Sequence, residues 1–279
     1  MIGIGSVLQA FYETLRLVGR FKIWLPLLIY ALIKLGVMWV YLASVPGPAT
    51  SVWSMLLEGD SRDSISHYPW NLFLMPLVLS RLGIALEVFV NVVFQGAVIL
   101  LLVDTYRDKT LSVRSALRRT SSRYPHLMAA AFVSSLALYL ATLLPGYVAR
   151  LVSVDIPGTV MQAGTLVAGL VVQALFVFAM PFVLLSSQPV LRAIRKSLSV
   201  TAQSFFAVFL LVLLPFLVTL PTLYLMLKSR TLVTRLSPEI MIHLQISTEM
   251  TQTVATFLLL GALTWVFVRR IQVDEISRR

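Results

Sequence analysis

Cysteine is missing from all 279 residues, so disulfides, thiolate nucleophiles and Cys-based zinc sites are excluded by composition. Charge is scarce. Only 13% of residues are charged against 58% hydrophobic, which leaves too little polar surface to coat a water-soluble globule of this length. The three histidines, His67, His126 and His243, stand far apart in the sequence, with no H-E-x-x-H arrangement and no acidic cluster at metal-ligand spacing. There is no G-x-x-x-x-G-K, and Gly3 and Gly5 follow no strand that would make them a dinucleotide loop. Ser and Thr are plentiful, but no pattern pairs one of them with a His and an acid as nucleophile and base. Glu58, Asp60 and Asp63 share one loop but lack fixed geometry, and they read as solvated side chains before a cation site. The expectation is a chain that is not an enzyme and carries no cofactor and no metal.

What the sequence has in abundance is long apolar runs. A helix needs roughly 20 apolar residues to cross a hydrocarbon core of about 30 Å. Six segments qualify: about Trp24 to Ala43, a second that starts between Leu77 and Ile84 and ends near Val103, Leu127 to Val148, Val160 to Leu185, Phe205 to Leu227, and Met250 to Val268. None shows the period-2 alternation of a barrel strand, and an open sheet cannot satisfy its backbone in lipid. The fold class expected is therefore all-α, a polytopic bundle of six spans forming a single integral membrane domain over residues 1–279. The first apolar run is too long for a secretory signal and lacks a small-residue cleavage site, so it reads as a retained anchor. Pro215 and Pro221 should kink span five and Pro181 should bend span four.

The formal charge of +11 is distributed unevenly. Sixteen Lys and Arg fall on the side of the N-terminus, within residues 16–22, 107–123, 192–196 and 269–279; five, Arg62, Arg150, Lys228, Arg230 and Arg235, fall on the other. By the positive-inside rule both termini face the cytoplasm, which for compact Arg-rich loops points to an inner membrane. The expected partners are membrane lipids with anionic headgroups on the cytoplasmic side, with another membrane protein as a further candidate. Nucleic acid is not expected, because no polar domain carries the charge.

Three basic segments that precede spans one, three and five align. Val7, Ala10, Phe11 and Thr14 match Val113, Ala116, Leu117 and Thr120, and these match Val190, Ala193, Ile194 and Ser197. The spacing is the i, i+3, i+4, i+7 face of a helix, which places Arg114, Arg118, Arg119, Arg192, Arg195 and Lys196 as headgroup contacts. Ser112 is positioned to cap the second copy and Pro189 to open the third, while Pro125 stops the second before its span. The repeating unit would be an interfacial helix plus an antiparallel pair of spans, over residues 5–103, 108–185 and 189–268, all in one orientation and so unlike inverted-repeat transporters. Three unrelated juxtamembrane segments are the alternative.

The run Met180-Pro181-Phe182-Val183-Leu184-Leu185, then Leu191-Arg192-Ala193-Ile194-Arg195-Lys196-Ser197-Leu198, then the apolar stretch from Phe205, resembles a broad group of bacterial six-span proteins related to the membrane domain found ahead of some glycerophosphodiester phosphodiesterases. The segment Ser115-Ala116-Leu117-Arg118-Arg119 fits the same resemblance, which extends over about residues 5–270. No phosphodiesterase domain accompanies it, so the resemblance implies only an accessory or transport-like membrane protein.

One lysine and one glutamate fall deep inside the apolar runs. Lys34 lies mid-span, where a charge costs about 2.5–3.5 kcal/mol on insertion scales and calls for a partner in the bundle. Glu87 is the nearest candidate, followed along span two by Asn91 and Gln95. Lys34, Glu87, Asn91 and Gln95 read as a water-accessible path or ion-coupling site, as an internal ion pair with packing hydrogen bonds, or, if Asn71 to Gly83 forms a separate interfacial segment that also accounts for Arg81, as groups near the outer surface. Gln162, Thr165, Gly169 and Gln173 on span four, with Gln252 and Thr256 on span six, read as packing residues. The leading functional expectation is a protein that acts through lipid contact, packing or a protein partner. The alternative is a small-solute or lipid permease that uses the polar stripe of span two.

Overall fold

A computed structural model of the chain describes residues 2–45, 47, 50–57, 61–109, 112–152 and 158–271. Glu58, Asp60, Arg278 and Arg279 lie outside the described residues. Each apolar run satisfies its backbone within itself, and helix is the only regular structure among the described residues. Helix α1 (Ile4–Arg16) precedes span one, α2 (Phe21–Ser44); the short α3 (Thr50–Ser54) and α4 (Ser61–Ser64) follow. Span two is α5 (Trp70–Leu86), a π turn over Glu87–Asn91, and α6 (Val92–Tyr106). Helix α7 (Val113–Ser121) leads into span three, α8 (Tyr124–Val152), and span four is α9 (Gly158–Phe176) with α10 (Ala179–Leu185). Helix α11 (Val190–Gln203) precedes span five, α12 (Phe205–Leu227), and α13 (Ser229–Arg235) leads to span six, α14 (Ile240–Val266), which ends in a π turn over Phe267–Ile271. Six of these segments are long and apolar enough to cross a membrane. The chain is an all-α, multi-pass integral membrane protein.

Three boundaries differ from the sequence reading, each for a packing reason. Span two begins at Trp70, and Asn71 to Gly83 is the outer part of its helix instead of a separate interfacial segment. Leu72, Met75 and Val78 bury there against Met38, Tyr41, Val45, Leu57 and Ile65, and this contact extends the helix past the hydropathic run. Arg81 is held by the same arrangement, donating to the Leu56 carbonyl at 2.7 Å. Span six starts ten residues before Met250, at Ile240, because Met241 and Leu244 enter that cluster too. Span four breaks between Phe176 and Ala179. Pro181 offers no N–H to the Val177 carbonyl four residues back and its ring crowds that carbonyl, so the helix interrupts just ahead of the proline. Span five runs continuously through Pro215 and Pro221.

The three interfacial helices dock in a common way. Ala10, Ala116 and Ala193 are fully buried, and so are Thr14, Thr120 and Ser197. Thr14 and Thr120 return their hydroxyls to the Ala10 and Ala116 carbonyls, at 2.7 and 2.9 Å, and press their methyls onto Gly261 of span six and Gly96 of span two, where any Cβ would collide with them. In the third copy Ser197 donates to the Leu175 carbonyl at 2.7 Å and Thr201 to that of Ala174 at 3.0 Å, on span four. Each helix therefore packs on the second span of another unit. With α1 on span six, α7 on span two and α11 on span four, the contacts close into a ring. Ser112 caps α7 by accepting from the Ser115 amide, and Pro189 occupies the N-cap of α11, one position ahead of its first turn.

Two apolar clusters result. The larger joins the ring to the ends of spans two, four and six that lie near it, with Leu102, Val183 and Val266 at its centre. The smaller sits at the opposite end of spans one, two and six. Polar side chains lie between them.

Candidate functional site

Lys34, near the middle of α2, makes an ion pair with Glu249 of α14 and donates to Gln252 Oε1 at 3.3 Å. Glu249 also accepts from Gln245 Nε2 at 3.0 Å. Its residue is only 7% exposed, so both ends of the pair are enclosed by protein and by each other. The expected pairing of Lys34 with Glu87 is thus corrected. Lys34 points to span six, whose polar first turns place Glu249 and Gln252 one α-helical turn apart on the face toward α2.

Glu87 is held by neutral donors. Tyr30 Oη donates to its Oε1 at 2.9 Å and Asn91 Nδ2 to its Oε2, and no cation comes within ion-pair distance of it among the described residues. Glu87 and Asn91 are the two ends of the π turn, a widened helical turn of the kind found at functional sites. Inside the turn the Phe89 carbonyl accepts from Tyr124 Oη at 3.0 Å. Asn91 turns its amide N–H to Glu87, and its own Oδ1 is buried without a hydrogen-bond partner. The π turn therefore holds one acceptor that lacks a donor, Asn91 Oδ1, beside a carboxyl group whose donors are both neutral.

These groups surround a pocket of about 30 Å³ bounded by Tyr30, Lys34, Glu87, Asn91, Glu249, Gln252, Thr253 and Thr256, room for a water molecule or a group of similar size. The pocket adjoins a chamber of about 810 Å³ that shares Lys34, Glu87, Glu249, Gln252 and Thr256, is otherwise lined mainly by apolar side chains of spans two to six, and is open at the side, where its lining residues Ile84, Leu138, Tyr139 and Leu166 are exposed. Span three packs against α6 and the π turn, whereas Pro76 to Ile84 of span two and Ser135 to Thr142 of span three line opposite walls of the chamber. A further cavity of about 350 Å³ continues between spans two, three, four and six.

Lys34, Glu87 and Asn91 meet at the pocket, and Glu87 also lines the 350 Å³ cavity together with Gln95 and with Gln173 of span four. Tyr30, Gln245 and Glu249 join the site without having been singled out, and Gln252, read as a packing residue, is the acceptor for Lys34. Of the basic candidates, Arg114, Arg118, Arg192 and Arg195 are exposed on the outer faces of α7 and α11. Arg119 is exposed as well and reaches Asp104 at 3.9 Å, and Lys196 lies over the Phe182 ring at 5.6 Å. At the far end, Tyr68 Oη donates to Glu239 at 2.7 Å. That bond holds the Glu239 carboxyl below its ordinary range and raises the Tyr68 phenol above its own. No three acidic or histidine side chains converge as metal ligands among the described residues.

No family model, curated protein or solved structure matches this chain.

Proposed function

We propose that this is an inner-membrane protein with both termini cytoplasmic which admits a small amphipathic or polar molecule to a chamber inside its bundle, and that it does so as a permease or lipid-handling protein without a catalytic centre. One observation carries the reading: an 810 Å³ compartment, apolar on most of its wall, has its few charged groups gathered on one side at mid-depth. Its size lies within the range of ligand sites, about 300–1,000 Å³, and its lining has their usual composition of apolar walls with a few placed polar groups. The resemblance to transport-like six-span proteins agrees with this reading. The exposed arginines of α7 and α11 fit an anionic cytoplasmic leaflet, where each basic side chain adds about 1 kcal/mol of attraction.

The chain's lack of cysteine makes the test direct. Single cysteines placed at Ser135, Thr142 or Thr222 in the chamber should react with a membrane-impermeant thiosulfonate applied to spheroplasts, and Gly83→Trp should protect them. Cβ growth at Gly83 meets nothing within 4 Å, so the indole has room to enter the chamber. Cysteines at Leu140 and Leu143, which face outward from span three, should stay unmodified, and one at Ser115 should react only after permeabilisation. Inert chamber positions would remove the permease reading; a reactive Ser115 position in intact spheroplasts would reverse the orientation.

A further inference from the structure

The chamber's charges do not cancel. Two carboxylates, Glu87 and Glu249, and one ammonium, Lys34, make up the whole charged lining of both the pocket and the chamber. Lys34 is committed to Glu249, which leaves Glu87 without a counter-charge in a medium where an isolated ion is costly. Beside it stands the orphan Asn91 Oδ1. The amide oxygen lacks a donor and the carboxylate lacks a counter-charge, and one group that brings hydrogens and positive charge supplies both. The pocket holds something the size of one ammonium and no more, while the adjoining space is large, and Tyr139, Phe216, Leu223 and Leu259 are among its walls. An anionic head would meet no free cation here, and a neutral one would leave Glu87 uncompensated.

We infer that the pocket and chamber form one binding site for an amphipathic amine, its ammonium donating to Glu87 and Asn91 in the pocket and its hydrocarbon chain lying in the chamber. The inference rests on the chamber being an accessible compartment and adds the class of molecule it takes. Glu87 is the specificity-determining residue, and the π turn is what aims Glu87 and Asn91 at the same point. The Lys34–Glu249 pair then serves to mark the head-group end without competing for the ligand, since its own charges are already matched.

Titration calorimetry of the purified chain in maltoside micelles, with empty micelles subtracted, tests this with decylammonium, decanol, decanoate, ethylammonium and potassium chloride as probes. Decylammonium should bind saturably, and Glu87→Gln should weaken it about ten- to hundredfold, the range for a hydrogen bond to a charged group. Gly83→Trp should abolish it, and the other four probes should bind at least about tenfold more weakly than decylammonium, since each lacks either the charge or the chain. Should Glu87→Gln fail to fold, Thr256→Lys supplies a tethered cation at the pocket rim and should exclude decylammonium in the same way. Equal binding of decylammonium, decanol and decanoate, or an unchanged affinity in Glu87→Gln, overturns the amine inference. If Gly83→Trp still abolishes that binding, the chamber itself stands. Ethylammonium or potassium binding as tightly as decylammonium overturns it in favour of a small-cation site. Absence of binding by every probe, with the chamber cysteines reactive, overturns the inference alone; with those cysteines inert, both readings fall.

Discussion

A lysine at the middle of a span and a glutamate on the far side of the chain neutralise each other, and the energetics of that pair are asymmetric. Lys34 and Glu249 are enclosed, with side-chain exposures of 16% and 9%, so removing one partner leaves the other buried and unmatched, at a cost of about 3–5 kcal/mol. Removing both should be close to neutral, because an apolar pair in the same volume has no desolvation to overcome. Lys34→Met should therefore lower the melting temperature in detergent markedly, and Lys34→Met with Glu249→Met should restore most of it. A double variant as unstable as the single one would show that the pair acts through other contacts. Lys34 was legible in the sequence because a charge deep in an apolar run demands explanation. Glu249 was not, since beside Ser247 and Thr248 it falls just ahead of the apolar run that marks span six in the sequence, and nothing local links it to a residue more than two hundred positions earlier. Glu87 and Asn91 were legible as a stripe, but the π turn that converges them has no sequence signature. Gln95 lines the next cavity together with Glu87, in keeping with the helical spacing that placed both on one stripe.

Between elements, the recurring contact is a small hydroxylated residue on an interfacial helix pressed to a span. Thr14 faces Gly261 and Thr120 faces Gly96. In the third copy the threonine becomes Ser197, which donates to the Leu175 carbonyl of span four, while Thr201 donates to that of Ala174. With Thr120 pressed against it, Gly96→Ala should destabilise the bundle by about 1–3 kcal/mol through overpacking. Thr120→Ser in that background, which removes the methyl that the new Cβ would meet, should recover most of the loss. Denaturation midpoints of the two variants in mixed micelles check this, and the same loss in both would show that the methyl is not what collides. The aligned Val, Ala and Thr/Ser positions could be read from the sequence because helical periodicity is local. Which span each helix meets could not, and the docking of α1 on span six, which closes the ring, joins opposite ends of the chain.

At the scale of the whole molecule the two apolar clusters divide the labour. The ring-side cluster ties all three span pairs together, whereas the opposite cluster is built mainly on spans one, two and six. Spans three and five leave most of their apolar surface outside both clusters, as helices solvated by lipid do, and the chamber opens where the second cluster stops. The far ends of spans two and six are additionally joined through the exposed Tyr68–Glu239 hydrogen bond, and its pH response has a definite sign. Glu239 is held below its ordinary value by that bond, so its contribution is present above the usual carboxylate range and is lost as pH falls through the lowered value. Tyr68 is raised by the same bond, so its contribution is present below the usual phenol range and is lost as pH rises through the raised value. The clamp is therefore closed across the neutral region and opens at both extremes. Amide exchange at Asn71 to Leu74, corrected for the intrinsic pH dependence of exchange, should accelerate on acidification below the carboxylate range. In Tyr68→Phe it should be fast already at neutral pH and insensitive to the same step. An acid response that survives in Tyr68→Phe would mean that some other group governs how these span ends separate.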